Sequence, residues 1–273
     1  MTTPTEWQSV AIIGPGRMGR GIELALHRAG VEVTLLSRSR RPEETRGAGL
    51  LLIATPDDAI AGLASELARE RAVGAHQVVL HLSGLLDRRP LESLASTGAG
   101  LGSFHPLQTI ADPSSAPERL AGSYAGLEGD ERALAAGERL ASALGMRAVR
   151  LTPGAKPAYH AGAVIASNYT VVLADMAERL AREAGIAAEE AAAMYLPLMR
   201  GSVANLVLGP IAALTGPIRR GDVATVRRHL AVLGKEDGVL YRALGLAALR
   251  LARDAGLPAE AAAEVERELR EGS

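Results

Sequence analysis

The chain has 273 residues, with 30 Lys and Arg against 31 Asp and Glu, a formal net charge of −1. With its arginines scattered rather than striped, that balance gives no electrostatic footing to nucleic acid or to an anionic membrane surface. Cysteine is absent, which excludes disulfides, thiolate metal sites and a thiol nucleophile and fits a reducing cytoplasm; no metal is expected in the site.

In chain order, Met1 to Trp7 has neither a basic nor an apolar leader segment, so no signal peptide is expected. Ser9–Ile13 is an apolar run of strand length, followed by Gly14-Pro15-Gly16-Arg17-Met18-Gly19. Met18, Ile22, Ala25, Leu26 and Ala29 then recur at helical spacing to Gly30, and Val31–Leu36 reads as a second strand. Strand, glycine turn, helix and strand form the context in which GxGxxG denotes a dinucleotide site. Gly14 permits the turn, Gly16 lets a pyrophosphate approach, and Gly19 lets helix pack on strand. Arg17 and Met18 complete the cofactor-binding turn, and the helix N-terminus favours the diphosphate.

The end of the second strand selects the nucleotide. An NAD site places an acid there for the ribose hydroxyl. Here the place reads Ser37-Arg38-Ser39-Arg40-Arg41, with no acid before Glu43. A hydroxyl followed by guanidinium groups suits a 2′-phosphate, so NADP(H) is the expected cofactor, held in part by Ser37 and Arg38. An ordinary solvated arginine loop would look similar, but it would not explain the missing acid.

Leu50–Ala54 is a buried parallel strand by composition; it ends in Thr55-Pro56-Asp57-Asp58-Ala59-Ile60, and a helix follows to about Arg71. The link from Ser37 to Gly49 has room for only a turn or so of helix. Gln77–Leu82 and Leu101–Phe104 are the fourth and fifth strands, separated by a helical stretch near Pro90–Ser96. Tyr124–Leu127 and Arg147–Leu151 flank a helix from Asp130 to Leu144 and complete the sheet. Thr55, Ser83 and His105 fall at carboxyl ends of strands and are expected to line one crevice, with the nicotinamide near the last two.

From Pro153 the composition turns Ala-, Leu- and Arg-rich. Helices are expected over 157–184, 188–208, 223–233 and from about 236 to 255, with Pro258 opening a last one. Gly185, Gly234 and Gly256 stand where helices end. The fold class is therefore α/β: a Rossmann dinucleotide-binding domain over 1–152, then an all-α domain over 153–273 for substrate and dimerisation. No apolar run of membrane-spanning length is free of Arg, Glu or Asp, so no membrane association is expected.

Two clusters carry candidate chemistry. His105, in Phe104-His105-Pro106, could donate a proton as hydride arrives; the plainer role is a strand-end cap. His81, near a strand end, reads as structural. In Lys156-Pro157-Ala158-Tyr159-His160, Pro157 suits a first helical position, which puts Lys156 at the helix mouth. His160 and Ser167 share its face, and Asn168 lies about a quarter-turn away. Helix amides with an ammonium make a carboxylate site, and the positive helix end lowers the pKa of Lys156 or His160. Tyr159 and Ser167 read as packing residues. The turn Thr215–Asp222, with two arginines, either closes a pocket over an acid or simply joins helices.

The stretches GPGRMG, ATPDDAI, HLSG, SFHPLQT, KPAYHAGAVIASN and ALTGPIRRGD, spread over residues 14–222, resemble a two-domain family of NADP oxidoreductases. The helical half of that family is a domain of unknown function. The resemblance implies a superfamily with ketopantoate, pyrroline-5-carboxylate and 6-phosphogluconate-type enzymes, with 2-dehydropantoate as a first substrate to consider. It further implies that Lys156 and Asn168 meet the substrate, although their spacing exceeds the family's four residues. A homodimer through the helical domain is implied too, in which the Thr215–Asp222 turn serves the partner's site. The expected function is an NADPH-dependent reductase of a small carboxylate-bearing carbonyl or imine, with His105, Lys156 or His160 as proton donor. A non-catalytic NADP(H) sensor or scaffold is the alternative; a deazaflavin-linked reductase would need room for a second large cofactor.

Overall fold

The computed structural model describes residues 9–37, 39 and 42–271. Its strands are β1 (Val10–Ile13), β2 (Val33–Leu36), β3 (Leu50–Ile53), β4 (Val78–His81), β5 (Gly100–Leu107), β6 (Tyr124–Gly129) and β7 (Arg147–Arg150). They form one sheet in the order β2-β1-β3-β4-β5-β6-β7. All neighbours are parallel except β5 and β6. The chain moves outward from β1 to β2 and then returns to the other side of β1 at β3. That reversal opens a crevice beyond the carboxyl ends of β1 and β3, where doubly wound sheets bind ligands.

Alternation along the strands makes two apolar layers. Val10, Ile12, Leu50, Leu52, Leu80 and Phe104 face α1 (Arg17–Arg28) and residues of α5 (Glu131–Ala143 in the chain). Ala11, Ile13, Leu51, Ile53 and Val79 pack with Ile60, Leu63, Ala64 and Leu67 of α3 (Asp57–Arg69). Between these helices lie α2 (Pro42–Arg46) and α4 (Ala116–Leu120), with a 3-10 helix at Arg89–Thr97. The link after β2 thus holds only the five-residue α2, as its length requires.

β5 runs farther than its apolar residues suggest. Its partner β6 is antiparallel and continues the ladder through His105↔Gly126, Pro106↔Ala125 and Leu107↔Tyr124. His105 therefore sits inside a strand, correcting the expectation that it follows one. Pairing with β4 stops at Ser103, so beyond it β5 lacks that neighbour and tolerates Pro106, which has no N–H to give.

α6 (Lys156–Glu183) begins the helical part. The chain divides into two compact units at Asn168/Tyr169. That boundary falls inside α6, not at the 152/153 junction expected from composition. The first turns of α6 belong with the sheet because Lys156 and Tyr159 bond to β-strand residues or the loops after them.

The second unit holds α7 (Ala188–Met194), α8 (Leu196–Asn205), α9 (Pro210–Ala213), α10 (Pro217–Arg220), α11 (Val223–Val232), α12 (Lys235–Asp254) and α13 (Ala259–Arg270). Its core is Val226, Leu249, Ala252, Leu257, Ala262, Val265 and Leu269. The single helix expected over 188–208 is interrupted at Tyr195, because Pro197 cannot supply the amide a continuous helix needs. Asp222 caps α11 by accepting from the Thr225 amide at 3.0 Å.

Candidate active site

The glycine turn joins β1 to α1, and its three glycines do different work. Gly14 has φ +122°, and a Cβ there would lie 2.5 Å from the Ala54 carbonyl oxygen. A Cβ on Gly19 would lie 2.1 Å from the oxygen of Gly14. Both are therefore demanded by the fold itself. Gly16 is not: a Cβ on it meets nothing within 4 Å. It is the N-cap of α1, no side chain caps that end, and no acid stands in the first turn. Four amides at a helix start lack intrahelical partners, so this end of α1 opens onto free space fit for an anion.

The other predicted cofactor contacts are placed as follows. Arg17 is exposed, and Met18 packs against the core. Thr55, just past β3, carries a buried hydroxyl without a hydrogen-bond partner. Ser37 is exposed, with its Oγ 2.8 Å from that of Ser39. Both line a cleft of ≈ 520 Å³ with Pro15, Arg20, Glu23 and Glu44. Arg38 lies outside the described residues. An open cradle at Gly16, an orphaned hydroxyl at Thr55 and a polar cleft after β2 fit a dinucleotide.

Ser83 serves the loop that carries it. Its Oγ donates to Asp57 Oδ2 at 2.8 Å and accepts from the amides of Leu85 and Leu86. His81, the last residue of β4, accepts from the Ser83 amide at Nδ1 and therefore donates through Nε2 to the Asp87 carbonyl at 2.7 Å. Burial lowers its pKa to about 4. It is a neutral buttress, as its place in the strand suggested.

Lys156 is the first residue of α6 and is only 2% exposed. Its Nζ donates to the Ser83 carbonyl at 2.6 Å and to Ser103 Oγ at 2.8 Å. An ammonium has three protons, so these bonds leave one. Burial brings its pKa down to about 8, against the opposing pull of Glu128, Asp57 and Asp87. Desolvation is thus the largest cause, acting in the same direction as the helix end that the sequence pointed to. Burial likewise raises the Glu128 carboxyl, which accepts from the Arg88 amide at 2.8 Å.

His105 Nδ1 lies 3.0 Å from the hydroxyl of Tyr159. Its ring stands edge-on to Tyr159 and to His160, with centroids 5.5 and 5.8 Å away. Burial, with lesser repulsion from Lys156 and His160, lowers its pKa to about 4, so the imidazole is neutral near pH 7. His160 Nδ1 is buried without a hydrogen-bond partner. Both histidines crowd Gly84: a Cβ there would lie 2.5 Å from His160 Nδ1 and 2.8 Å from His105 Nε2.

Of the predicted catalytic residues, His105, Lys156 and His160 thus come together beyond β4 and along β5. Asn168 does not join them. It is exposed, twelve residues along α6 from Lys156, which is about 18 Å at 1.5 Å per residue. Tyr159, read from sequence as packing, is a direct partner of His105, and Ser103 is a direct partner of Lys156. The signal for Tyr159 was its i+3 spacing from Lys156; nothing local marks Ser103. Among the described residues no group of three or more His, Asp and Glu could hold a metal ion.

Residues 36–106 match the Rossmann-like domain, and residues 123–248 match the Domain of unknown function DUF2520. The crystal structure of protein TM1727 from Thermotoga maritima is similar at a TM-score of 0.70 and 25% identity, covering 90% of this chain and 98% of that one. BF3122 of Bacteroides fragilis, a proposed NADP oxidoreductase, gives 0.67 at 20% identity, over 91% and 97%. Pyrroline carboxylate reductase of Plasmodium falciparum with NADP bound gives 0.60 at 9% identity, over 95% and 97%. No curated protein matches.

Proposed function

We propose that this chain, a Rossmann-like domain joined to a DUF2520 domain, is an NADPH-dependent oxidoreductase of a small carboxylate-bearing carbonyl or imine. The observation that carries the reading is the buried Lys156 ammonium, bonded to Ser103 of β5 two residues before the neutral His105 imidazole, at the same carboxyl end of the sheet as the open turn at Gly16. Bound nicotinamide supplies a hydride. The α1 amides hold the pyrophosphate, Thr55 lines the crevice, and Ser37 with Arg38 receives the 2′-phosphate. Lys156, with a pKa of about 8, donates the proton, since a general acid works best with a pKa near the operating pH. His105 orients the reacting oxygen or nitrogen, and the unpartnered Nδ1 of His160 contacts the substrate's polar end. Asn168 has no part in this reading. The fold shared with a reductase of a cyclic imine carboxylate supports the substrate class, and 2-dehydropantoate is the first carbonyl compound to try.

Fluorescence titration tests the cofactor. NADPH is expected to bind at least ~10-fold more tightly than NADH, the worth of one charge-assisted hydrogen bond. A thermal-shift panel of 2-oxo acids and cyclic imines with NADPH present should then find a substrate. Equal affinity for NADH would overturn the 2′-phosphate site. Tight NADPH binding without oxidation across the panel would instead favour a sensor or scaffold.

The helical unit of this enzyme is read as a homodimer interface, and the dimer as cytoplasmic. Val171, Leu198, Val207 and Leu208 are 65–87% exposed, and α8 has no buried residue. So much apolar surface on one unit marks an interaction site. Ala188–Leu208 is long and apolar enough to cross a membrane, but it carries Glu189, Glu190 and Arg200 and breaks at Tyr195. A second copy is the occupant that suits it. Sedimentation equilibrium should give a dimer at micromolar concentration, and Leu198→Glu with Val207→Glu a monomer. A monomeric wild type would refute this.

A further inference from the structure

We infer that Ser103 is a positioning residue for the proton donor: its hydroxyl and the Ser83 carbonyl take two protons of the Lys156 ammonium and leave the third for the substrate. This deepens the reading of Lys156 given above and rests on it for the catalytic consequence alone.

Lysine occurs twice in the chain, at 156 and 235, among 30 Lys and Arg. Arginine, the usual basic residue here, cannot give up a proton. Lys235 is exposed, whereas Lys156 is buried. Its place at the start of α6 fixes the backbone of Lys156, but a four-carbon stem rotates unless its amine is held. The two holders come from separate elements: the Ser83 carbonyl, in the loop after β4, at 2.6 Å, and Ser103 Oγ, on β5, at 2.8 Å. The first is backbone, on a loop that Asp57 pins through the Ser83 hydroxyl, and any residue at 83 carries that carbonyl. The second is a side chain, so the choice of serine supplies it.

Ser103 is 1% exposed and is held in the ladder on both sides, opposite His81 of β4 and Glu128 of β6. Strand alternation turns Phe104 into the layer of α1 and puts Ser103 and His105 on the other face. At about 3.4 Å per residue the two are roughly 7 Å apart, so the serine draws Nζ to the face where the imidazole stands. The charged and titratable groups around Nζ are Glu128 of β6, Asp57 at the start of α3, Asp87 after β4, and His81 and His105. None of these side chains bonds to Nζ, whose two partners are uncharged. Both histidines, with pKa values of about 4, are neutral near pH 8. There the group that changes charge at this hydroxyl is Nζ itself. A hydrogen bond from a charged donor is about twice as strong as one from a neutral donor. Removing the hydroxyl thus costs the ammonium more than the amine, and the proton leaves more easily.

Carbon-13 spectra of protein labelled at lysine Cε, taken without nucleotide, test this directly. Two lysines give two signals, and Lys235→Arg identifies that of Lys156. Wild type should titrate near pH 8. In Ser103→Ala, Lys156 should hold its proton about 10-fold more weakly. Ser103→Thr, which keeps a hydroxyl, should stay within about twofold of wild type, and Ser103→Val, of the same shape without it, should follow Ser103→Ala. With NADPH and a substrate, the alkaline limb of kcat should begin about one pH unit lower in Ser103→Ala, the same 10-fold change, with NADPH affinity within about twofold. Unchanged or tighter proton binding in Ser103→Ala, or in Ser103→Val relative to Ser103→Thr, overturns the inference. A limb that stays in place overturns its catalytic half. Failure of NADPH to bind would strike the reductase reading and leave the lysine titration standing.

Discussion

Lys156→Met is expected to lower turnover by about 10²–10⁴-fold, the range typical for loss of a general acid. Methionine fills much the same buried volume but cannot donate a proton. The wild-type pH profile supplies the sharper check. Lys156 acts as an acid only while it holds its proton, so the rate should be full below about pH 8 and decline about tenfold per pH unit above it. In Lys156→Met that alkaline limb should vanish, leaving a low and flat rate. Stability carries an independent sign. Burial holds the folded pKa at about 8, beneath the ordinary lysine value of 10.5, so between these two the unfolded chain binds more protons. Lys156 therefore makes stability rise with pH across that window, and the rise should be absent from urea melts of the variant. The substitution also strips a partner from the Ser83 carbonyl and Ser103 Oγ, a loss of about 1–3 kcal/mol per buried group, so rates must be read well below the melting temperature. If the alkaline limb persists in Lys156→Met, another group is the acid. If His105→Ala, Lys156→Met and His160→Ala all keep near-normal rates, the proposed chemistry is wrong.

The second large effect separates glycines that build the turn from the one that serves a ligand. Gly19→Ala drives a methyl to 2.1 Å from the Gly14 oxygen and 3.3 Å from Ala54 Cβ. Backbone must move, and overpacking of this kind costs about 1–3 kcal/mol or more. Gly16→Ala meets nothing within 4 Å, at φ −74° and ψ −179°, a conformation open to any residue. Its stability without nucleotide should stay within about 0.5 kcal/mol of wild type. Its NADPH affinity should nonetheless fall at least ~10-fold, or ~1.4 kcal/mol, because the methyl stands where a pyrophosphate approaches the backbone. Urea melts and NADPH titrations on both variants check the pair. Normal affinity in Gly16→Ala would move the diphosphate away from this turn.

Local rules made most of the first unit legible in the residues alone. Continuous apolar runs marked β1 and β3, since strands buried on both faces carry no polar alternation. Glycine positions marked the turn and the helix ends, and polar residues at expected strand ends pointed to Thr55, Ser83 and His105, although the last lies inside β5. Lys156 and His160 stood out by their place at a helix start. All of this depends on backbone preferences and side-chain periodicity within a few residues, which a sequence states directly.

What the sequence could not state depends on groups that meet across the sheet. The length of β5 was decided by an antiparallel partner some twenty residues on. The unit boundary inside α6 followed from contacts of its first turns with the sheet. The contact between His105 and Tyr159 spans 54 positions, and only the bare Cα of Gly126 admits it. The acidity of Lys156 was foreseen in direction, but its largest cause was not, because desolvation is a property of everything packed around a charge. Residue types and their order thus determined which chemistry was on offer; strand register and burial, which are long-range, decided which side chains touch and what their protons do.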